Sequence, residues 1–230
     1  MLLKKWEDIP EFMKNDEVKR YYDILKNKTI SLILKRLFDI IMSLILIIIL
    51  SPVLLILSIM IKLDSEGPVF YRQERVTQYG RIFRIFKFRT MVTNADKIGA
   101  LVTTQNDSRI TRIGNKIRKC RLDEIPQLFN ILLGDMSFVG TRPEVKKYVD
   151  AYTDEMKATL LLPAGVTSLA SIKFKDEDEV INDFIALDMA VDEAYIYKVL
   201  PQKMVFNLEY LKTFSLWKDI RLCLNTIVDV

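Results

Sequence analysis

The sequence predicts a mostly helical α+β protein that is associated with a membrane. Three observations support this prediction: residues 40–61 contain no charged side chain, two strand-like segments flank a turn at 77–80, and apolar residues recur at helical spacing through much of the remaining chain. With 230 residues, the chain can bury a sizeable core and is expected to form one main domain.

The composition excludes several functional classes. The chain has no histidine, which removes Ser-His-Asp and Cys-His catalysis and every histidine-ligated metal site. Its net charge is +4, and its basic residues are dispersed, which disfavours nucleic acid as a partner. The two cysteines, Cys120 and Cys223, are far apart and lack zinc-type spacing, so we expect no disulfide framework.

Residues 1–30 mix aromatic and aliphatic residues with many charges, which predicts a short helix lying on a surface. The segment does not have the pattern of a signal peptide, because the apolar run begins only after residue 30. We therefore expect a separate N-terminal helical element.

The apolar run at 40–61 can be interpreted in two ways. As one helix it would be about 33 Å long, enough to cross a bilayer. Ser51-Pro52 lies at its centre, and proline disrupts a helix interior at a cost of about 3 kcal/mol. The run is therefore either a kinked transmembrane helix or two half-helices that enter and leave the membrane by the same face. Basic residues on both sides do not decide between them.

A β-hairpin is predicted from segments 69–75 and 81–88. Its second strand alternates apolar and basic side chains: Phe83, Ile85 and Phe88 against Arg84, Lys87 and Arg89. The pattern predicts one apolar and one basic face, and the basic face would suit solvent, lipid headgroups or a substrate.

Two adjacent acids begin a predicted helix at 122–133, which Gly134 would end as a C-terminal cap. Proline is tolerated only in the first turn of a helix, so Pro126 would place Asp123 at or near the N-cap and Glu124 at the first helical position. This local pattern leaves open whether the acids are merely helix caps or take part in chemistry.

Two arginines are expected to reach the Asp123-Glu124 pair. Arg118 lies near the end of the preceding predicted helix, and Arg142 lies in a turn after the second one. Guanidinium groups bind phosphate through paired hydrogen bonds, so the cluster indicates either an anion site or structural ion pairs. At an anion site, one carboxylate could attack phosphorus while the other holds Mg²⁺ against the phosphate oxygens.

Six segments follow one another in a recognisable order from about residue 33 onwards. They are 35–39 (KRLFD), the apolar run with its central Ser51-Pro52, 67–76 (GPVFYRQERV), 86–91 (FKFRTM), 122–128 (LDEIPQL) and 134–143 (GDMSFVGTRP). Together they resemble the bacterial sugar transferase family of monotopic phosphoglycosyl transferases. The resemblance is specific, because six segments agree in order, and the match runs from about residue 33 to the C-terminus.

The resemblance implies a transferase that moves a sugar 1-phosphate from a UDP-sugar to a polyprenyl (undecaprenyl) phosphate and releases UMP. Such a reaction initiates bacterial surface glycan synthesis. The resemblance also implies that Asp123 is a nucleophile that forms a covalent aspartyl-phosphosugar, and that Glu124 binds Mg²⁺. Lys87, Arg118 and Arg142 would bind the phosphates.

The resemblance further implies a topology. Residues 1–30 would form the N-terminal surface helix, 31–66 a re-entrant helix-break-helix hairpin, and 67–230 a catalytic domain facing the cytoplasm at the bacterial inner membrane, in contact with its lipid. Apolar spacing in 195–230 predicts helices that belong either to the core or to the membrane interface. A monomer and a homo-oligomer both remain open.

The chain departs from the family pattern mainly in residues 161–179. Segment 161–171 (LLPAGVTSLAS) lacks the second glycine of the usual turn, and an acidic run at 175–179, expected to be a solvated loop, follows. The identity of the sugar is therefore not predicted. Two other functions also stay open: a diphosphate hydrolase, which needs no lipid acceptor, and a non-catalytic membrane-anchored scaffold, which needs no Mg²⁺.

Overall fold

The computed structural model describes residues 3–95, 107–174, 180–181, 183–184 and 189–228. The elements in chain order are α1 (Asp16–Lys26), α2 (Thr29–Asp64), β1 (Phe70–Val76), β2 (Ile82–Phe88), α3 (Arg112–Lys119), α4 (Gln127–Leu133), β3 (Met136–Val139), α5 (Lys146–Val149), β4 (Ala164–Thr167), α6 (Leu169–Lys173), α7 (Val191–Ala194), α8 (Leu200–Thr213) and α9 (Leu216–Val228). A π-helical turn, Tyr195–Val199, connects α7 to α8. The predicted acidic loop at 175–179 lies outside the described residues.

The predicted α+β class is confirmed: in the described residues helices dominate, and two small two-stranded sheets accompany them. The predicted division at residues 30 and 66 stays a prediction. Its middle part nevertheless corresponds closely to a single element, because α2 begins at Thr29 and ends at Asp64.

Helix α2 is continuous in secondary structure through Ser51-Pro52. The two predicted arrangements, a kinked transmembrane helix and a re-entrant helix-break-helix, both stay predictions. Pro52 lies inside α2 and cannot donate a backbone hydrogen bond to Ile48. The hydroxyl of Ser51 donates to the carbonyl oxygen of Ile48 instead, at 2.8 Å. This bond satisfies the carbonyl that proline leaves free, and the helix continues.

One side of α2 is bare apolar surface. Its most apolar stretch of 18 residues has a mean hydropathy of 3.2, and only 17% of that stretch is buried. Its length and composition are sufficient to cross a membrane. Apolar residues exposed by more than half their surface occur all along it: Ile30, Leu37, Ile48, Ile49, Leu55, Ile56, Ile59 and Leu63. A continuous apolar surface of this extent differs from the single exposed apolar side chains of most soluble proteins. It indicates contact with lipid or protein.

Both ends of α2 are fixed to the same protein body. Near its beginning, the Lys35 ammonium donates to the carbonyl oxygen of Val139 at 2.8 Å and pairs with buried Asp219 at 2.5 Å. At its end, the Arg89 guanidinium donates to the carbonyl oxygens of Ser65 (2.6 Å) and Glu66 (2.7 Å). Arg89 thus caps the free carbonyl end of the helix with a positive charge.

The predicted hairpin is confirmed: β1 and β2 pair antiparallel, with Tyr71 opposite Lys87. The predicted basic face is wrong. Because side chains alternate along a strand, Lys87 shares a face with buried Phe83 and Ile85 and points toward the interior, while Arg89 is buried as the cap of α2. Only Arg84 is solvent-exposed as predicted.

Buried Asn130 joins the hairpin to α4. Its side-chain oxygen accepts from the backbone N–H of Phe86 at 2.7 Å, and its amide nitrogen donates to the carbonyl oxygen of Arg84 at 3.1 Å. Gly134 ends α4 in the left-handed conformation (φ 89°), as predicted, and its N–H bonds back to the carbonyls of Asn130 and Ile131. The hairpin and the segment before α4 are thereby held in a fixed relation.

The largest apolar core joins the N-terminal helix to the C-terminal helices. In α1, Val18, Tyr21, Tyr22 and Leu25 are buried, and the Asn15 side chain caps its first turn. The α8 side chains in the same core are Leu200, Met204, Leu208, Tyr210 and Leu211. The prediction of core helices after residue 195 is confirmed for α8, whereas α9 exposes Trp217 by 80%.

Candidate active site

Asp123 and Glu124 lie in a separate 3₁₀ turn, Leu122–Glu124, which precedes α4. The prediction that Asp123 lies at or near the N-cap and Glu124 at the first helical position is wrong, because α4 begins at Gln127 and its N-cap position is occupied by Pro126. The turn starts at Arg121, whose backbone is left-handed (φ 54°). The reversal there ends α3 and directs both acids toward β2 instead of along the axis of α4.

Glu124 is paired with two cations from different parts of the chain. Its Oε1 lies 2.7 Å from the Lys87 ammonium and 3.2 Å from the Arg142 guanidinium. Burial would raise the pKa of Glu124, but the charges of Arg142 and Lys87 outweigh burial and hold the pKa at about 2. Glu124 is therefore ionised throughout the physiological range.

Asp123 differs from its neighbour, because it forms no ion pair with any described residue. Burial raises the pKa of its carboxyl group, the neighbouring charge of Glu124 adds to that increase, and the charges of Lys87 and Arg118 oppose it. Arg118 is half-buried at the end of α3. The sequence predicted that Arg118 reaches Asp123. In the structure the charge of Arg118 lowers the pKa of Asp123, but the two side chains form no ion pair.

Lys87 reaches the site from the edge of the hairpin. Burial lowers its pKa, Glu124 raises it, and the positive charge of Arg142 lowers it. The sequence identified Lys87 through the resemblance alone, since the strand pattern placed it on the wrong face.

Arg142 is held in place by close approach of two backbone segments. Strand β3 pairs in parallel with β4, and beyond it the Gly165 N–H donates to the carbonyl oxygen of Thr141 at 2.9 Å. A Cβ atom on Gly165 would lie 2.1 Å from the Gly140 nitrogen, so only glycine fits there. The contact fixes the turn that aims Arg142 at Glu124.

Lys87, Glu124 and Arg142 open into one small cleft, whose lining does not include Asp123 or Arg118. Its lining consists of Arg75, Ile85, Lys87, Glu124, Gln127, Arg142, Pro143 and Gly165. Sequence reasoning missed Arg75 and Gln127 as site residues, although both fall inside the segments that carry the resemblance. Their positions on a strand and at a helix start gave no local signal that they face the acids.

The acids suit Mg²⁺ only together with substrate oxygens. Among the described residues, no group of three or more acidic or cysteine side chains could hold a metal by itself. Mg²⁺ commonly uses one or two carboxylates and takes its other ligands from substrate phosphates and water. Both ion pairs that Glu124 forms with described residues use its Oε1 atom. Glu124 therefore suits a Mg²⁺ ion that takes its other ligands from a bound phosphate substrate.

The fold and the site define a protein with a long lipid-compatible helix beside a carboxylate-centred, cation-lined cleft. Residues 30–230 match the bacterial sugar transferase family. The chain belongs to this family.

Three relatives illustrate the similarity. The UDP-N-acetylgalactosamine-undecaprenyl-phosphate N-acetylgalactosaminephosphotransferase of Aeromonas hydrophila is 37% identical over 84% of this chain and 43% of its own length. The UDP-glucose:undecaprenyl-phosphate glucose-1-phosphate transferase of Caulobacter vibrioides is 32% identical over 84% of this chain and 68% of its own length. The putative undecaprenyl-phosphate N-acetylgalactosaminyl 1-phosphate transferase of Bacillus subtilis is 43% identical over 54% of this chain and 70% of its own length. The chain thus spans less than half the length of the Aeromonas relative.

Proposed function

We propose that this protein transfers a sugar 1-phosphate from a UDP-sugar to a polyprenyl (undecaprenyl) phosphate, with release of UMP. Its relatives are named for transfers of this kind. The cleft has the charges that such substrates require, because cationic side chains bind phosphates and an acid must start the displacement in a chain without histidine.

The difference between the surroundings of Asp123 and Glu124 is the main support for this proposal. Glu124 is engaged by Lys87 and Arg142, while Asp123 forms no ion pair with a described residue and has a raised pKa. A carboxylate that is ionised yet not neutralised by a direct partner is the better nucleophile. We therefore assign attack on phosphorus to Asp123. We assign metal binding to Glu124, and phosphate binding to the cations that pair with Glu124.

The reaction would proceed in two displacements. An Asp123 carboxylate oxygen forms a bond to the phosphorus that carries the sugar, and the bond from that phosphorus to the bridging oxygen breaks, so UMP leaves with the electron pair. A phosphate oxygen of the polyprenyl phosphate then attacks the same phosphorus, and the aspartyl oxygen leaves as the regenerated carboxylate. Lys87, Arg118 and Arg142 orient the phosphates and stabilise the negative charge in both steps.

Mg²⁺ would be held by Glu124 and the substrate phosphates, where it neutralises phosphate charge. This assignment predicts that a chelator abolishes UMP release and that added Mg²⁺ restores it. Asp150→Asn, a change in an exposed ion pair with Lys146, is the control that should respond like wild type.

We propose that α2 is a re-entrant element, kinked at Ser51-Pro52, which places the cleft at the cytoplasmic face of the bacterial inner membrane. Both ends of α2 bind the same body, through Lys35 and through Arg89, which favours entry and exit on one side. The bare apolar side of α2 would face the lipid that supplies the polyprenyl acceptor.

Single-turnover measurement tests the proposal. The full chain in lipid nanodiscs is incubated with a panel of UDP-sugars and Mg²⁺ without an acceptor, and UMP and intact protein mass are measured. We expect one UMP per protein and a mass increase of one phosphosugar with one of the sugars, both lost in Asp123→Asn. Continuous UMP release without the acceptor would instead indicate a hydrolase, and no UMP with any sugar, with or without acceptor, would indicate a scaffold.

A further inference from the structure

Two side chains in the wall of the cleft, Arg75 and Gln127, have no part in the chemistry described above. Arg75 lies in β1, and Gln127 is the first residue of α4. Both line the same cleft as Lys87, Glu124 and Arg142.

Gln127 is a largely buried polar side chain with no hydrogen-bond partner among the described residues. It is only 3% exposed. Buried amides are nearly always paired, because an unmade hydrogen bond is costly. Gln127 also lines the cleft, so a ligand bound there can supply a partner for its amide.

Arg75 is a cation whose recorded partners are all neutral. Its Nη1 donates to the carbonyl oxygen of Pro143 at 3.1 Å, and its Nε and Nη2 donate to the side-chain oxygen of Gln73 at 3.0 and 2.6 Å. It forms no ion pair with a described residue. A guanidinium has five N–H donors, so donors remain for a ligand.

Like charges are crowded around the cleft. Burial lowers the pKa of Arg75, Glu144 raises it, and the nearby charge of Arg142 lowers it; Arg142 has the same lowering effect on Lys87. Three cations thus line a cleft whose lining contains one carboxylate, Glu124. Repulsion of this kind is relieved by an anion that carries more than one negative charge.

We propose that Arg75 and Gln127 bind the diphosphate of the nucleotide-sugar substrate. Arg75 forms charge-assisted hydrogen bonds to one phosphate, and the Gln127 amide N–H donates to a phosphate oxygen. This assignment deepens the proposed function and rests on it for the identity of the diphosphate.

Inorganic pyrophosphate is a probe that requires no turnover. Its affinity for the full chain in nanodiscs is measured calorimetrically for wild type, Arg75→Gln, Arg75→Lys and Gln127→Met. We expect binding to weaken about tenfold in Arg75→Gln and severalfold in Gln127→Met, since each loses a hydrogen bond to a charged group. Arg75→Lys should recover part of the loss, because it restores the charge. Arg72→Gln removes an exposed cation from the opposite face of the same strand and should bind like wild type.

Steady-state kinetics separates a binding role from a structural one. We expect Arg75→Gln to raise the KM for the UDP-sugar and to leave the KM for polyprenyl phosphate and the unfolding temperature close to wild type. Loss of kcat and stability without rescue by Arg75→Lys would instead show that Arg75 only supports Pro143, and would overturn its assignment. Unchanged pyrophosphate affinity in Gln127→Met would overturn that of Gln127.

The two proposals can fail separately. Wild-type protein that binds pyrophosphate through these residues but releases no UMP from any UDP-sugar would refute the transfer reaction alone. Normal UMP release by Arg75→Gln with an unchanged KM would refute the diphosphate subsite alone.

Discussion

Replacing Glu124 by glutamine removes the carboxylate that Lys87 and Arg142 share, at nearly constant side-chain volume. The pKa of Glu124 is about 2 against an ordinary value of 4.5, so its ionised form contributes about 3 kcal/mol to folding at pH 7. Because the folded-state pKa is depressed, this contribution is complete above pH 4.5 and is lost as the pH falls toward 2. At pH 3.5 about 2 kcal/mol should remain.

Thermal unfolding of the protein in detergent, followed by tryptophan fluorescence at pH 7 and pH 3.5, measures this difference. For a chain of this size, about 3 kcal/mol corresponds to a decrease of about 6 to 12 °C in the unfolding temperature of Glu124→Gln at pH 7. The gap to wild type should narrow at pH 3.5.

Glu74→Gln is the matched control. Glu74 also pairs with a cation, Arg84, but both side chains are more than half exposed, so its replacement should cost less than about 1 kcal/mol. Equal unfolding temperatures for Glu124→Gln and wild type at pH 7 would show that the cations do not stabilise the ionised acid. The electrostatic account of the site would then be wrong.

Three further outcomes are expected. The value of kcat/KM for UMP release should fall at acid pH as Asp123 becomes protonated, at a pH above the usual aspartate pKa. Arg118→Gln should move this acid limb to higher pH, because the charge of Arg118 lowers the pKa of Asp123. An acid limb that does not move would belong to another group. Asn130→Ala should lower the free energy of unfolding by about 1 to 3 kcal/mol, seen as a lower urea midpoint, because the Phe86 N–H loses its acceptor; an unchanged midpoint would mean that water replaces Asn130. Single cysteines at positions 30 and 66, in a background without Cys120 and Cys223, should react with a membrane-impermeant thiol reagent from the same side of sealed vesicles, and labelling from opposite sides would establish a membrane-spanning helix.

The motif segments owe part of their pattern to packing. Lys35 and Arg36 bind backbone carbonyls of β3 and α4, and Asp39 accepts from the Phe138 N–H. Arg89 caps α2. These charged residues therefore hold α2 against the body, and the sequence offers no means to tell them from the basic residues that face the cleft.

Local chemistry in the sequence was sufficient for several elements. Alternating side chains predicted the β1–β2 hairpin, Gly134 predicted the end of α4, and the absence of histidine directed attention to Asp123 and Glu124. These features depend on interactions within a few residues, so a linear pattern contains them. The resemblance added Lys87, which the structure brings to Glu124 from 37 residues away.

Only the tertiary structure decided how these elements are used. Ser51 compensates for Pro52 and keeps α2 continuous, the left-handed Arg121 separates the acids from α3, and the approach of Gly140 to Gly165 positions Arg142. It also placed Arg75 and Gln127 in the cleft. The sequence determined which residues could bind a phosphate. Contacts between segments that are distant in sequence decided which of these residues face one another, because burial and pairing depend on neighbours that no local pattern specifies.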